Sequence, residues 1–185
     1  MNNCNISGIG TLNGGEFDEL KISGTCSVKG DILAKDIKVS GAANFEKNVE
    51  GASIKISGAT SFSQDIKCKT FYVSGAVKIG GNLSADSVTI SGAINIDGDV
   101  NTDVLTVDAK KAKFKNIYGD CINIKSEKIE VEEIEATNVK LCNVNVKKVS
   151  GAKVEIYGFS TVEIVEYSES LVLHDTCKIS KIIKL

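Results

Sequence analysis

Three sets of side chains in this sequence are of kinds that do chemistry. Asp31, Asn48, Asp65, Asn82, Asp99 and Asn116 recur every 17 residues, acid alternating with amide. Stacked along one edge of a fold, their oxygens would form a row of cation sites or a turn-forming ladder. Ser7, Ser23, Ser40, Ser57, Ser74 and Ser91 make a second series, and 6 cysteines lie outside both. The single histidine is His174.

Weighed as chemistry, each set points to structure. A serine nucleophile needs one distinguished serine beside a base, so six equivalent serines read as a repeated corner. Stacked aspartates would set like charges about 5 Å apart, each pair costing a fraction of a kcal/mol. The interleaved amides relieve that repulsion and can donate to the carboxylates above and below, so a ladder without bound metal is expected. Calcium-binding β-rolls repeat a roughly nine-residue Gly/Asp unit, which is absent. Cys4, Cys26, Cys68, Cys121 and Cys142 fall at different phases of the repeat, and Cys177 shares only that of Cys26, many turns away. A disulfide between neighbouring turns needs matching phase, and zinc favours closely spaced ligand pairs. Free thiols, as in a reducing cytoplasm, are expected. His174 is read as an exposed strand residue.

The elements that hold these side chains announce themselves by repetition. Lys38-Val39-Ser40-Gly41-Ala42 returns as Lys55-Ile56-Ser57-Gly58-Ala59, as Tyr72-Val73-Ser74-Gly75-Ala76 and as Thr89-Ile90-Ser91-Gly92-Ala93, always 17 residues on. Ile22-Ser23-Gly24 and Ile6-Ser7-Gly8 extend the series backward. Counted from each glycine, apolar residues stand at four, eight, thirteen and fifteen places. Val28, Ile32, Ile37 and Val39 fill them after Gly24, and Phe45, Val49, Ile54 and Ile56 after Gly41. The last two share a face of one alternating strand. The first two suit one longer strand or two short ones around a bend.

A unit this short cannot bury its own apolar face and must stack on its neighbours. With no sustained 3.6-residue spacing, many β-branched residues and no proline, the prediction is all-β: a single-stranded parallel β-helix (β-solenoid) of about ten turns of ~17 residues. Residues 1–185 are expected to form one domain, regular over 1–108 and less regular over 109–185. Phe114 comes one residue late, which suggests a bulge within Lys110-Lys111-Ala112-Lys113. The acidic run Glu127–Glu135 is expected to be a strand with solvated outer positions, because Ile129 and Val131 alternate with charge. From Leu141 to Ile156 the interval is 15 residues, so a corner is trimmed there.

Composition narrows the function. The net charge is −2, and all 22 basic residues are lysine. Without arginine or a lysine cluster, nucleic-acid binding is not expected. No apolar run reaches the ~18 residues of a membrane span, and Met1–Asn5 lacks the features of a signal peptide. No helical or polar cap is evident at either end of the repeats. An open solenoid end is a template for another chain, so the protein is expected to polymerise with itself, end on end. The interface would comprise Cys4, Ile6 and Leu12 at one end and Ile179, Ile182, Ile183 and Leu185 at the other. No cofactor is implied.

The repeated [VI]-S-G-A, with Gly80-Gly81-Asn82-Leu83 and Asp97-Gly98-Asp99-Val100, resembles the bactofilin family of polymer-forming bacterial cytoskeletal proteins. The resemblance covers Ile6 to about Val107, and the rest follows only by period. It implies a triangular, right-handed β-helix that forms filaments without nucleotide and scaffolds cell-envelope or cell-shape machinery. It also implies cell-envelope proteins as further partners and a cytoplasmic location at the inner face of the membrane. Such proteins usually carry disordered tails, and some an apolar N-terminal segment that reaches the membrane; neither is expected of this chain, so the resemblance leaves membrane attachment unassigned. Two other readings stand beside this one. A left-handed β-helix acyltransferase would need a six-residue repeat and a catalytic histidine, and a surface or adhesin-like solenoid would need export.

Overall fold

A computed structural model describes residues 2–126 and 129–185. The described residues form one 18-stranded, wholly parallel sheet wound into a solenoid of about 11 turns, one more than the repeats alone suggest. In the regular part each turn is a four-residue strand followed by an eight-residue strand: Thr25–Val28 then Ile32–Val39, Ala42–Phe45 then Val49–Ile56, and so on to Ala93–Ile96. The apolar residue four places after the glycine thus belongs to its own short strand, and the one eight places after it begins the long strand. Each long strand bends in its middle. Lys35 and Asp36 are both exposed where alternation would bury one, and the pairing register steps over Lys35. The solenoid is therefore three-sided, with corners at Ser-Gly, at the Asp/Asn position and at this bend.

Alternation turns the predicted side chains inward. Val28, Ile37, Phe45, Ile54 and Ile56 have at most 1% of their surface exposed. Identical positions stack one turn apart, as with Phe45 on Phe62, whose rings lie 4.8 Å apart and nearly parallel. Two further inward columns are built of smaller residues. One runs through Cys26, Ala43, Thr60, Val77 and Ile94, the other through Ala34, Gly51, Cys68, Ala85 and Thr102. The second lies just before the bend, where Ile37 and Ile54 already occupy the narrow vertex. A Cβ on Gly51 would sit 2.8 Å from the Ala34 carbonyl oxygen and 3.8 Å from Ile37 Cδ1.

The signature glycines answer to the same crowding. Their φ angles are ordinary; only Gly14, Gly15 and Gly158 are left-handed among the described glycines. A Cβ at Gly41, Gly58, Gly75 or Gly92 would run into the carbonyl oxygen of the preceding signature glycine. Close stacking of corner on corner, rather than turn conformation, demands glycine there.

Beyond Ala109 the winding continues with adjusted corners. One residue is inserted before Ala112, which pairs with Ile94, and Leu141 pairs with Ile156 across the trimmed turn. The acidic run, over its described part, is the strand Ile129–Cys142, with Ile129 and Val131 buried and Glu130 and Glu132 exposed; Glu127 and Lys128 lie outside the described residues. Four inward columns cross the molecule unbroken, including Cys4 through Leu20 and Ile37 to Val154 and Leu171.

Candidate functional site

The Asp/Asn series does stack at one corner, with a different bonding pattern from the one expected. Each side-chain oxygen accepts the backbone N–H of the ladder residue one turn on. Asn48 N–H donates to Asp31 Oδ1 (3.1 Å), Asp65 N–H to Asn48 Oδ1 (3.3 Å), Asn82 N–H to Asp65 Oδ1 (2.7 Å) and Asp99 N–H to Asn82 Oδ1 (2.9 Å). Only Asn116 donates through its amide, from Nδ2 to Asp99 Oδ1 (2.9 Å). Asp and Asn serve equally because both supply an acceptor. Among the described residues, no group of three His, Cys, Asp or Glu is placed to hold a metal ion.

The six serines are all exposed at the Ser-Gly corner, and Ser91 Oγ donates to the Val73 carbonyl. The cysteines are free thiols. Burial pushes the Cys68 thiol up to about 12, and burial followed by the neighbouring Cys4 raises that of Cys26, so neither is a ready nucleophile. His174 is exposed, with Nδ1 3.4 Å from Thr176 Oγ1 and its ring beside Tyr157. A shallow groove of about 830 Å³ crosses the short-strand face over Ala42, Ala59, Ala76 and Ala93. No arrangement of nucleophile and base is assembled at these places.

What remains are the two ends. At the first, the outer edges of Asn2–Ile6 and Ile9–Leu12 pair with no strand among the described residues, since each pairs only with the turn below. Cys4, Ile6 and Leu12 lie there half-buried on the core, with Phe17 beside them. At the other end Lys178–Lys184 pairs, among the described residues, along one edge only. Ile179 and Ile182 extend the columns of Val162 and Val165, both fully buried. Ile179 is half-buried, and Ile182 and Leu185 are 50% and 69% exposed. Ile183 pairs with Glu166 instead, on the column between two inward ones, and so stands on the outer face. Leu171 and Leu173, absent from the expected set, are half-buried and end the columns that Cys4 and Ile6 begin. Their signal was their phase, which on sequence alone marked them as ordinary interior residues.

The end strands also differ in charge. The strand Gly15–Ile22 carries Glu16, Asp18 and Glu19 against one base, Lys21, and Lys178–Lys184 carries three lysines and no acid. Lys35 and Lys38, each 2.6 Å away, hold the Asp18 and Glu19 carboxyls below their usual range. No helix among the described residues is long and apolar enough to cross a membrane.

No curated protein and no solved structure matches the chain. The family model described as polymer-forming cytoskeletal matches residues 3–117, well over half of the chain and nearly seven of its turns. With the parallel solenoid and the stacked Ser-Gly corners, that match places this chain in the bactofilin family, whose role is structural and cytoskeletal.

Proposed function

We propose that this protein is a filament subunit. Copies stack end to end without nucleotide or metal, and the filament scaffolds cell-envelope or cell-shape processes in the cytoplasm, at the inner face of the membrane. Proteins of the envelope machinery are the partners such a scaffold recruits, and the subunit itself performs no catalysis. One observation carries the reading: at both ends, strand edges with no described partner border half-buried apolar side chains. An unpaired edge offers a row of N–H and C=O groups to another strand, and the columns beside it offer an apolar core to continue.

Ile182→Glu tests the reading, because it sets a carboxylate on an inward column of the end strand without touching a complete turn. The expected result is loss of sedimentable polymer, with the circular dichroism and melting temperature of the subunit little changed. Undiminished polymerisation of this variant would count against the end face.

A further inference from the structure

We infer that Asn13 is a site of self-modification: its side chain closes on the backbone nitrogen of Gly14 and converts with time to isoaspartate, which loosens the first turn. The site rests on the geometry of a single subunit and does not depend on how copies assemble.

Asn13-Gly14 is the one Asn-Gly pair in the sequence. In such a pair no side chain on the second residue hinders its nitrogen from reaching the asparagine Cγ. The fold itself demands this glycine. Gly14 has a φ of +100°, and a Cβ there would lie 2.7 Å from the Asp31 carbonyl oxygen and 2.9 Å from Gly30 Cα.

The attacking nitrogen is also unengaged. Gly14 stands one turn ahead of Asp31, at the head of the Asp/Asn ladder. Further along, the ladder holds each N–H: Asp31 Oδ1 accepts from Asn48 and Asn48 Oδ1 from Asp65. No ladder residue stands a turn ahead of Gly14 among the described residues, and its N–H donates to none of them. Asn13 is exposed, and its side chain bonds to no described residue. Asn48 has neither freedom. Its side chain is in the ladder, and the next residue is the β-branched Val49, whose N–H donates to the Asp65 carbonyl (3.1 Å).

The reaction needs only water. Hydroxide takes the Gly14 amide proton, the nitrogen bonds to Asn13 Cγ, and the Cγ–Nδ2 bond breaks, with Nδ2 leaving as ammonia on a proton from water. Water then opens the resulting succinimide. Breaking its bond from Cγ to the Gly14 nitrogen gives aspartate; breaking the bond from the Asn13 carbonyl carbon gives isoaspartate, with the chain running through Cβ and Cγ. That route puts an extra carbon between Leu12 and Gly15. Leu12 O accepts from Lys29 N–H (2.8 Å) and Gly15 N–H donates to Asp31 O (2.9 Å), so the corner is spaced for the ordinary backbone and the longer one releases Ile9–Leu12.

The test ages the full chain at neutral and mildly alkaline pH, beside a guanidinium-unfolded sample. Peptides are mapped by mass spectrometry with electron-transfer fragmentation, which tells isoaspartate from aspartate. The expected result is a gain of about one mass unit at Asn13, faster as pH rises, with the other asparagines intact. Its rate should lie within about tenfold of that in the unfolded chain, the factor that ordering one residue's backbone is worth. Asn13→Gln, which must close a larger and slower ring, should show no gain. In converted protein, hydrogen exchange should show protection lost over Ile9–Leu12 and kept over Thr25–Val28. Conversion in the unfolded chain alone, or an equal gain in Asn13→Gln, would overturn the site. Unchanged exchange over Ile9–Leu12 after full conversion would overturn its effect on the first turn.

Discussion

At the scale of single residues, the fold is governed by which atoms the turn spacing of about 4.8 Å brings together. Glycine recurs at the Ser-Gly corner because the carbonyl oxygen of the glycine one turn earlier occupies the space of a Cβ. Gly8 is the exception, with nothing within 4 Å of its would-be Cβ. The same substitution should therefore behave differently at the two places. Gly58→Ala is expected to cost about 1–3 kcal/mol, as overpacking does, and Gly8→Ala to stay within about 0.5 kcal/mol. Urea unfolding of the two variants checks this; equal effects would refute the steric account. The signature was legible in the sequence, yet its reason was not. A glycine kept for close approach and one kept for a left-handed φ look alike until the neighbouring turn is in view.

At the scale of the element, a turn is a short strand, a corner, and a long strand bent in the middle, and the Asp/Asn ladder sews its corner to the next. Alternation keeps each aspartate two turns from the next while preserving the acceptor. Asn48→Asp keeps the bond to the Asp65 N–H and places three carboxylates in consecutive turns. The expected cost is about 1 kcal/mol at low salt from two like-charge contacts, largely recovered in 1 M salt, where screening acts within about 3 Å. A loss independent of salt, measured by denaturant titration, would mean that hydrogen-bond geometry rather than charge sets the alternation. The large apolar positions were readable because Val, Ile, Leu and Phe recur at fixed offsets. The columns of Cys26 and Ala34 were not, because the small residues Cys, Ala, Thr and Gly recur there without a constant apolar type, although each column lies two residues from a large inward one, at Val28 or Ile32. Past Asn116 the ladder position passes to Glu133 and Lys148. Lys148 lies 3.4 Å from Glu133 and 3.2 Å from Glu166, so ion pairs between turns take over from acid–amide hydrogen bonds.

At the scale of the whole molecule, each turn touches chiefly its neighbours, so stability accumulates turn by turn and is weakest where a neighbour is missing. The family match stops at residue 117, but the core does not: Ile122, Val139, Val154 and Val165 carry it onward, each at most 2% exposed. Period alone foretold that continuation. The make-up of the ends was only half legible. Cys4, Ile6, Leu12, Ile179 and Ile182 fall on inward columns, whereas Ile183 turns outward and Leu171 and Leu173 join the end face, because the final strand covers two sides of the triangle and leaves the third bare. Under the proposed end-to-end assembly, those bare edges are where a second copy would gain most, since stacking would replace exposed edge and apolar surface with one more interior turn. The most direct measurement is negative-stain electron microscopy of the purified protein, with and without nucleotide and metal. Long thin filaments under every condition are the expected result. Monodisperse particles about 50 Å long would contradict the account.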